Sequence, residues 1–440
     1  MTSILLLLFL SQSAPPGSSE LIAKPYVQLG NAPSSATLMW HTTAASTGWT
    51  LRYSAPGLTA RLGSAPSSWV AAAGGVSPHL VYRTTFEGLP PGERVSYQLL
   101  KDGVILFRSS FMAPKNADQP YRFVAVGDVG RNTRGQKRVT YQISRTSPDF
   151  MLVTGDLVYA HGRMSEYRQN MWPILNSDIA SPQTGAPLLR STITVPVTGN
   201  HDTAYRNLGR HPDGLAYYAY WTHPLNGPAH SVSVKGSAQA KAALAAASGP
   251  MLESGGNFSY EYGNAHWTVI DSNYYLNWRK PQMRAWLDQT LAKGKGATWR
   301  FVAFHAPPYH SSKTHPKDTI MRSVTDLLTK HGVDIVFTGH IHNYQRSFPL
   351  VASGDRAVPD RTFDGRTKTK ATAPIYIVTG AGGAELYDQK QPANPSTWQP
   401  FTAKFLGGHS FTVVDVNGPR LTLRQVSSEG AEIDRMVLTR

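Results

Sequence analysis

The sequence predicts an all-β sandwich toward its N-terminal end, followed by a larger α/β layered domain. Three observations carry this expectation. From Lys24 to about Ala113, short β-prone runs recur between Gly, Pro, Asn and Asp turns. After the polar stretch 114–120 the texture changes to apolar strands alternating with amphipathic helical segments. Five of these later strands end in residues that hold metals or move protons.

Bulk composition narrows the function classes. With 41% hydrophobic and 16% charged residues, the 440-residue chain is not disordered and has material for more than one core. A net charge of +15 favours anionic partners such as phosphate esters, nucleic acid or anionic envelopes. No long Lys/Arg run is present, so no dedicated nucleic-acid stripe is expected. The absence of cysteine excludes disulfides, thiolate zinc sites and cysteine nucleophiles. Ile4–Leu10 is apolar and a Ser/Ala/Pro/Gly stretch follows, so residues 1–22 read as a signal peptide and leader, although no basic residue precedes the run. The expected location is secreted or periplasmic. No stretch is long enough for a transmembrane helix. Oligomeric state is not legible.

Residues 23–113 carry candidate strands at Tyr26–Leu29, Ala36–His41, Trp49–Ser54, Tyr82–Phe86, Val95–Leu100 and Ile105–Phe111. Regular short strands with turn chemistry between them suggest a fibronectin type III or immunoglobulin-like sandwich. Trp40, Tyr53 and Tyr97 are its expected core. Residues 114–120 form a linker, and 121–440 the second domain. Its expected strands end at Val126, Thr154, Thr198, Ile270, Phe304 and Phe337, with helices at Arg134–Thr146, Glu166–Leu175, Pro281–Leu291 and Thr319–Lys330. Residues 205–257 interrupt the alternation with an aromatic patch, Tyr217–Trp221, and an Ala-rich run, and read as an insertion near the site mouth. Asn257-Phe258-Ser259 fits a glycosylation acceptor. Gly380–Gly383 is expected to support the site by close backbone approach, and a three-strand meander closes the chain.

The chemistry lies at the strand ends: Gly127-Asp128, Gly155-Asp156 with Tyr159, Gly199-Asn200-His201-Asp202, His305, and Gly339-His340-Ile341-His342. Alternate residues at a strand end share a face, so His340 and His342 can enter one site. The set joins hard oxygen donors to imidazoles without sulfur, which suits Fe, Mn, Zn or Mg, and more than one ion. A bridging carboxylate can hold two cations about 3.5–4 Å apart for in-line displacement at phosphorus by a metal-bound hydroxide.

These five segments match GDxG, GDxxY, GNH(D/E), VxxH and GHxH, the motif set of calcineurin-like metallophosphoesterases. With the tyrosine in the second motif, the chain resembles the purple acid phosphatase family, whose layout is also a β-sandwich followed by a metallophosphoesterase domain. The resemblance implies an acid phosphatase that hydrolyses phosphate monoesters. It implies Asp128, Asp156, Tyr159 and His342 around an Fe(III), with Asp156 bridging. Asn200, His305 and His340 would complete a site for divalent Fe, Zn or Mn. His201 would contact the substrate phosphate, and His315 or His310 would protonate the leaving group. Asp202 reads as an orienting residue behind the ligands. Arg346 is a candidate phosphoryl contact. Alternatives are a phosphodiesterase, nucleotide hydrolase or phytate hydrolase at the same site. In another class, the chain would be a surface-binding protein with a vestigial phosphatase domain.

Overall fold

The computed structural model describes residues 20–230 and 233–440, so the apolar N-terminal run lies outside the described residues. Two large sheets pack face to face. One has ten strands, in the order Glu432–Thr439, Arg420–Ser427, Ser410–Asn417, Tyr121–Val126, Phe150–Val153, Ile193–Pro196, Leu21–Leu29, Ala36–Thr43, His79–Phe86 and Ser67–Val70. The other has seven, in the order Phe258–Tyr262, Ala265–Val269, Trp299–Ala303, Ile335–Thr338, Ile375–Thr379, Tyr344–Ser347 and Thr402–Leu406. Phe123 and Phe150 from the first meet Trp267 from the second edge-on, with ring centroids 5.1 and 5.7 Å apart. This aromatic seam is the centre of the main core.

Helices cover the outer faces. Arg134–Thr146 buries Val139 and Ile143 against the first sheet, and Thr133 caps its start by accepting from Gln136 N. Pro281–Lys293 buries Met283, Leu287 and Leu291 against the second. Parallel pairing sets Val126 and Pro196 on either side of Val153, and Ala303 beside Phe337. The carboxyl ends of five strands therefore open at one end of the layers.

Two expected helices are broken. Glu166–Leu175 divides into an α turn, a π-helix at Tyr167–Met171 and a second turn at Trp172–Leu175. Pro173 lacks an N–H, and the bond from Trp172 N reaches back five residues to Tyr167 O. Thr319–Lys330 begins as a tighter 3-10 helix, Ile320–Val324, before Thr325–Lys330 becomes α-helical.

The N-terminal segment is all-β. Trp40, Tyr53 and Tyr97 are buried in it, as expected. Four of its strands form a separate sheet, in the order Leu58–Ser64, Trp49–Ala55, Arg94–Lys101 and Val104–Met112. The other four belong to the ten-stranded sheet, because Gln28 pairs in parallel with Thr194. The change of texture at 114–120 is therefore not a break in the sheet.

The aromatic patch Tyr217–Trp221 within the segment 205–257 is wholly buried, so these five residues belong to the core. Tyr26 stacks on Trp172 at 4.9 Å, meets Trp221 at 5.5 Å and donates its hydroxyl to Tyr220 O. The patch is the joint between the N-terminal strands and the rest of the molecule. The Ala-rich run forms the helix Ala238–Ser248, whose Leu244 and Ala247 share a core with Val70. Asn257 is also fully buried and accepts from Asp271 N at 2.8 Å, so the folded chain does not present a glycosylation acceptor there.

Candidate metal centre

Each strand end turns sharply to aim its side chain. Asp128, Asp156 and His340 have φ of 61, 53 and 67°, a left-handed backbone that costs about 1–3 kcal/mol at a non-glycine residue. Three such residues meet at one site. Gly380–Gly383 closes over them as expected. A Cβ on Gly382 would lie 2.3 Å from Gly127 O, so only glycine permits the approach.

The side chains fall into two groups. In the first, Tyr159 Oη donates to Asp128 Oδ1 at 2.8 Å and lies 3.1 Å from His342 Nε2. In the second, Asn200 Oδ1 lies 3.1 Å from His305 Nε2 and 3.0 Å from His340 Nδ1. Asp156 stands between them, with Oδ2 at 3.3 Å from His305 Nε2. Donor atoms of Asp128, Asp156 and His305 all lie within 4.8 Å of one another.

All three imidazoles are tethered from behind. His305 Nδ1 donates to Thr154 O at 2.8 Å and His342 Nδ1 to Glu385 O at 2.6 Å. His340 Nε2 is 2.8 Å from Asp318 Oδ2. A carbonyl only accepts, so each outer nitrogen of the first two carries a proton, and the inner one can present a lone pair to a cation that displaces its own proton. This arrangement orients imidazoles toward a cation.

The electrostatics agree. Asp128 and Asp156 are buried and, among the described residues, form ion pairs only with imidazoles. Burial disfavours charge on His305, but the Asp156 carboxylate outweighs it and pushes the ring up to about 10. Burial likewise opposes the Asp156 charge, yet His305 and His201 hold it well below the usual carboxylate range. The pocket demands positive charge. Oxygen donors, imidazoles and buried carboxylates with no Arg or Lys partner among the described residues together fit a pair of Fe, Zn or Mn cations.

The remaining candidates take distinct places. His201 N donates to Asp156 Oδ1 at 2.9 Å, and its Nδ1 donates to Ala160 O at 2.7 Å, leaving Nε2 4.0 Å from Asp156 Oδ2. Asp202 accepts from the backbone N–H groups of Leu157 at 3.0 Å and Gly199 at 2.8 Å, joining two ligand loops. His315 is partly exposed, with Nδ1 at 3.3 Å from Asp318 Oδ2 and its ring 4.9 Å from that of His340. His310 is buried, accepts from Ser312 N on Nδ1, and burial pushes its pKa down to about 4. Arg346 is not brought to the cluster. It is buried on the seven-stranded sheet, with Nε 2.7 Å from Asp434 Oδ2. This corrects the expectation of a phosphoryl contact: the guanidinium is already committed to a carboxylate.

Sequence reading missed Asp318, which touches both His315 and His340. Its signal was the three-residue spacing from His315. It also missed Tyr387, stacked on His342 at 4.0 Å, and the carbonyls of Thr154 and Glu385, which no side-chain pattern announces.

Comparison with known families agrees with this geometry. Residues 121–344 match the family model for calcineurin-like phosphoesterases, and the chain belongs to that family. Residues 373–435 match the iron/zinc purple acid phosphatase-like protein C model, so the C-terminal segment resembles that of purple acid phosphatases. Purple acid phosphatase 23 of Arabidopsis thaliana is 23% identical over 325 residues, covering 69% of this chain and 62% of that protein. The phosphoenolpyruvate phosphatase of Allium cepa is 26% identical over 292 residues, covering 62% of this chain and 52% of that protein. The chain thus spans between half and two thirds of the length of these curated relatives. Among solved structures, purple acid phosphatase PPD1 from yellow lupin (Lupinus luteus) seeds superposes with a TM-score of 0.69 at 18% identity, covering 94% of this chain and 74% of that one. PhoD superposes with a TM-score of 0.60 at 12% identity, covering 96% and 90%. These two show a shared fold.

Proposed function

We propose that the chain is a binuclear-metal hydrolase of phosphate monoesters. Asp128, Asp156, Tyr159 and His342 would hold one cation, and Asp156, Asn200, His305 and His340 the other. The observation that carries the reading is the backward tethering of three imidazoles around two buried carboxylates that lack a permanent cationic partner among the described residues. When bound, the cations supply neutralising charge at the phosphoryl oxygens and acidity to a water that attacks phosphorus in line.

The protein's own groups do the rest. His201 is held by Ala160 O so that Nε2, when protonated, donates to a phosphoryl oxygen. His315, oriented by Asp318, delivers a proton to the leaving oxygen. His310 is too buried to share that role and braces the loop through Ser312. We assign Fe(III) to the tyrosine side and a divalent Fe, Zn or Mn to the other. Burial and the charges of Asp128 and Asp156 raise the Tyr159 pKa well above its usual value, so only a strongly charged cation would ionise it. Tyr159→Phe is accordingly expected to abolish a visible charge-transfer band while circular dichroism stays native; an unchanged band would remove Tyr159 from the ligand set.

Residues 23–113 are read as a fibronectin type III-like domain, 114–120 as its linker, and 205–257 as an insertion into the catalytic unit. The apolar run at Ile4–Leu10 supports export. No helix among the described residues is long and apolar enough to cross a membrane. The test is hydrolysis of p-nitrophenyl phosphate and bis(p-nitrophenyl) phosphate across acid to alkaline pH, on protein whose metal content is measured. Monoester preference with two metals per chain is expected. Diester preference would make it a phosphodiesterase. No turnover by the metal-loaded protein would leave a binding protein with a vestigial site.

A further inference from the structure

A groove of about 200 Å³ leads away from Asn200, His305 and His340 between two loops, one carrying Tyr274 and the other Lys317 and Ile320. Tyr274 is 74% exposed and Ile320 44% exposed, so two large side chains offer apolar surface beside the polar site. The Tyr274 ring does not hang loosely. Its hydroxyl reaches Ala204 O at 3.4 Å, and Tyr275 meets it edge-on at 6.2 Å. The loop beneath is pinned by buried polar groups. Asn273 Nδ2 donates to Asp271 Oδ1 at 2.8 Å and Thr203 Oγ1 at 3.0 Å, and the Arg206 guanidinium lies 4.5 Å over the Tyr275 ring. A fixed loop thus presents an aromatic face to solvent beside the reaction centre.

The groove also lies on the side from which a leaving group departs. Asp318 lines it, and His315, the proposed proton donor, is 3.3 Å from that carboxylate. A leaving oxygen must come within reach of the donor, so the rest of the leaving group extends past Asp318 into the groove. An apolar cavity of about 150 Å³ accommodates one benzene ring, so a groove of about 200 Å³ has room for a single ring.

Resting on the phosphatase reading above, we propose that this groove is a leaving-group subsite for single-ring aryl phosphates, with Tyr274 as the stacking wall and Ile320 opposite. Lys317, exposed at the rim, meets an anionic substituent on the ring.

The test uses metal-loaded protein, with phenylphosphonate and methylphosphonate as non-hydrolysable probes in calorimetry, and glycerol phosphate and phenyl phosphate as substrates. Phenylphosphonate is expected to bind about tenfold tighter than methylphosphonate, the order of one aromatic stack with its buried area. Tyr274→Ala should bring that ratio close to one, and Tyr274→Phe, which keeps the ring, should retain it. Metal content and near-ultraviolet dichroism establish that each variant is folded. Equal binding of the two phosphonates, or an undiminished ratio in folded Tyr274→Ala, overturns the subsite while glycerol phosphate turnover leaves the phosphatase reading intact. Turnover of no phosphate ester overturns both.

Discussion

Asp156→Ala is expected to yield a folded chain that retains neither metal and loses more than about a thousandfold in phosphate-ester turnover. Asp156 stands between the two donor groups: one oxygen faces His305, and the other accepts the His201 N–H. Removing it separates Asp128, Tyr159 and His342 from Asn200, His305 and His340, and takes away half of the buried carboxylate charge. Folding should survive, because the aromatic seam between the sheets lies below the site and does not involve the ligands. Elemental analysis of the purified variant, with its hydrolysis rate, checks this. Retention of both metals with full activity would refute the bridging role.

The second large effect concerns the joint around Tyr26. His41 and His79 are buried there with ring centroids 5.8 Å apart. His41 meets the Tyr26 hydroxyl at 2.8 Å and the face of Tyr220. His79 meets the Tyr220 hydroxyl at 3.0 Å, Ser77 O at 3.0 Å and the Arg168 guanidinium at 3.2 Å. No carboxylate is among these contacts. Burial pushes His79 down to about 4, with Arg168 adding to the effect, and burial, His79 and Arg168 lower His41 in the same direction. An unfolded chain takes up the His79 proton near pH 6.5, whereas the folded one resists until about pH 4, and His41 shifts in the same direction. Stability is therefore full above pH 6.5 and falls as pH drops toward 4, by about 3 kcal/mol for His79 alone. Thermal melts from pH 7 to 4 should show the decline, and His79→Gln should flatten it. The same slope in the variant would sink the assignment.

Much of the site could be read before any coordinates. Chemistry-bearing residues sit at chain positions where apolar runs stop, and parallel strands bring those positions to one end. That is why Asp128, Asp156, Asn200, His305, His340 and His342 were found together. The polar groups behind them were less visible. Asp318 lies in a loop without periodicity, and the tethers to Thr154 and Glu385 use backbone atoms that every residue possesses. Burial was harder still. Arg346 resembles any surface cation until Asp434, far along the chain, is placed beside it. Aromatic residues such as Tyr217–Trp221 suit both rims and cores, and only the packing of Tyr26 against them decides between the two. The two broken helices had the expected apolar spacing, but tertiary packing and Pro173 set their local winding.

The ten-stranded sheet also constrains the order in which the molecule can form. Leu21–Leu29 lies near the start of the chain, yet one of its neighbours in the sheet, Ile193–Pro196, lies far downstream. Closing so distant a pair carries a loop-entropy penalty before any contact repays it. On a ribosome that releases the N-terminal end first, the early hairpin Leu21–Leu29 with Ala36–Thr43 can assemble by itself, but its outer edge stays unpaired until Thr194 has emerged. Over that interval the nascent chain exposes an open strand edge and the apolar ring of Tyr26, the kind of surface that holding chaperones shield and that aggregation exploits.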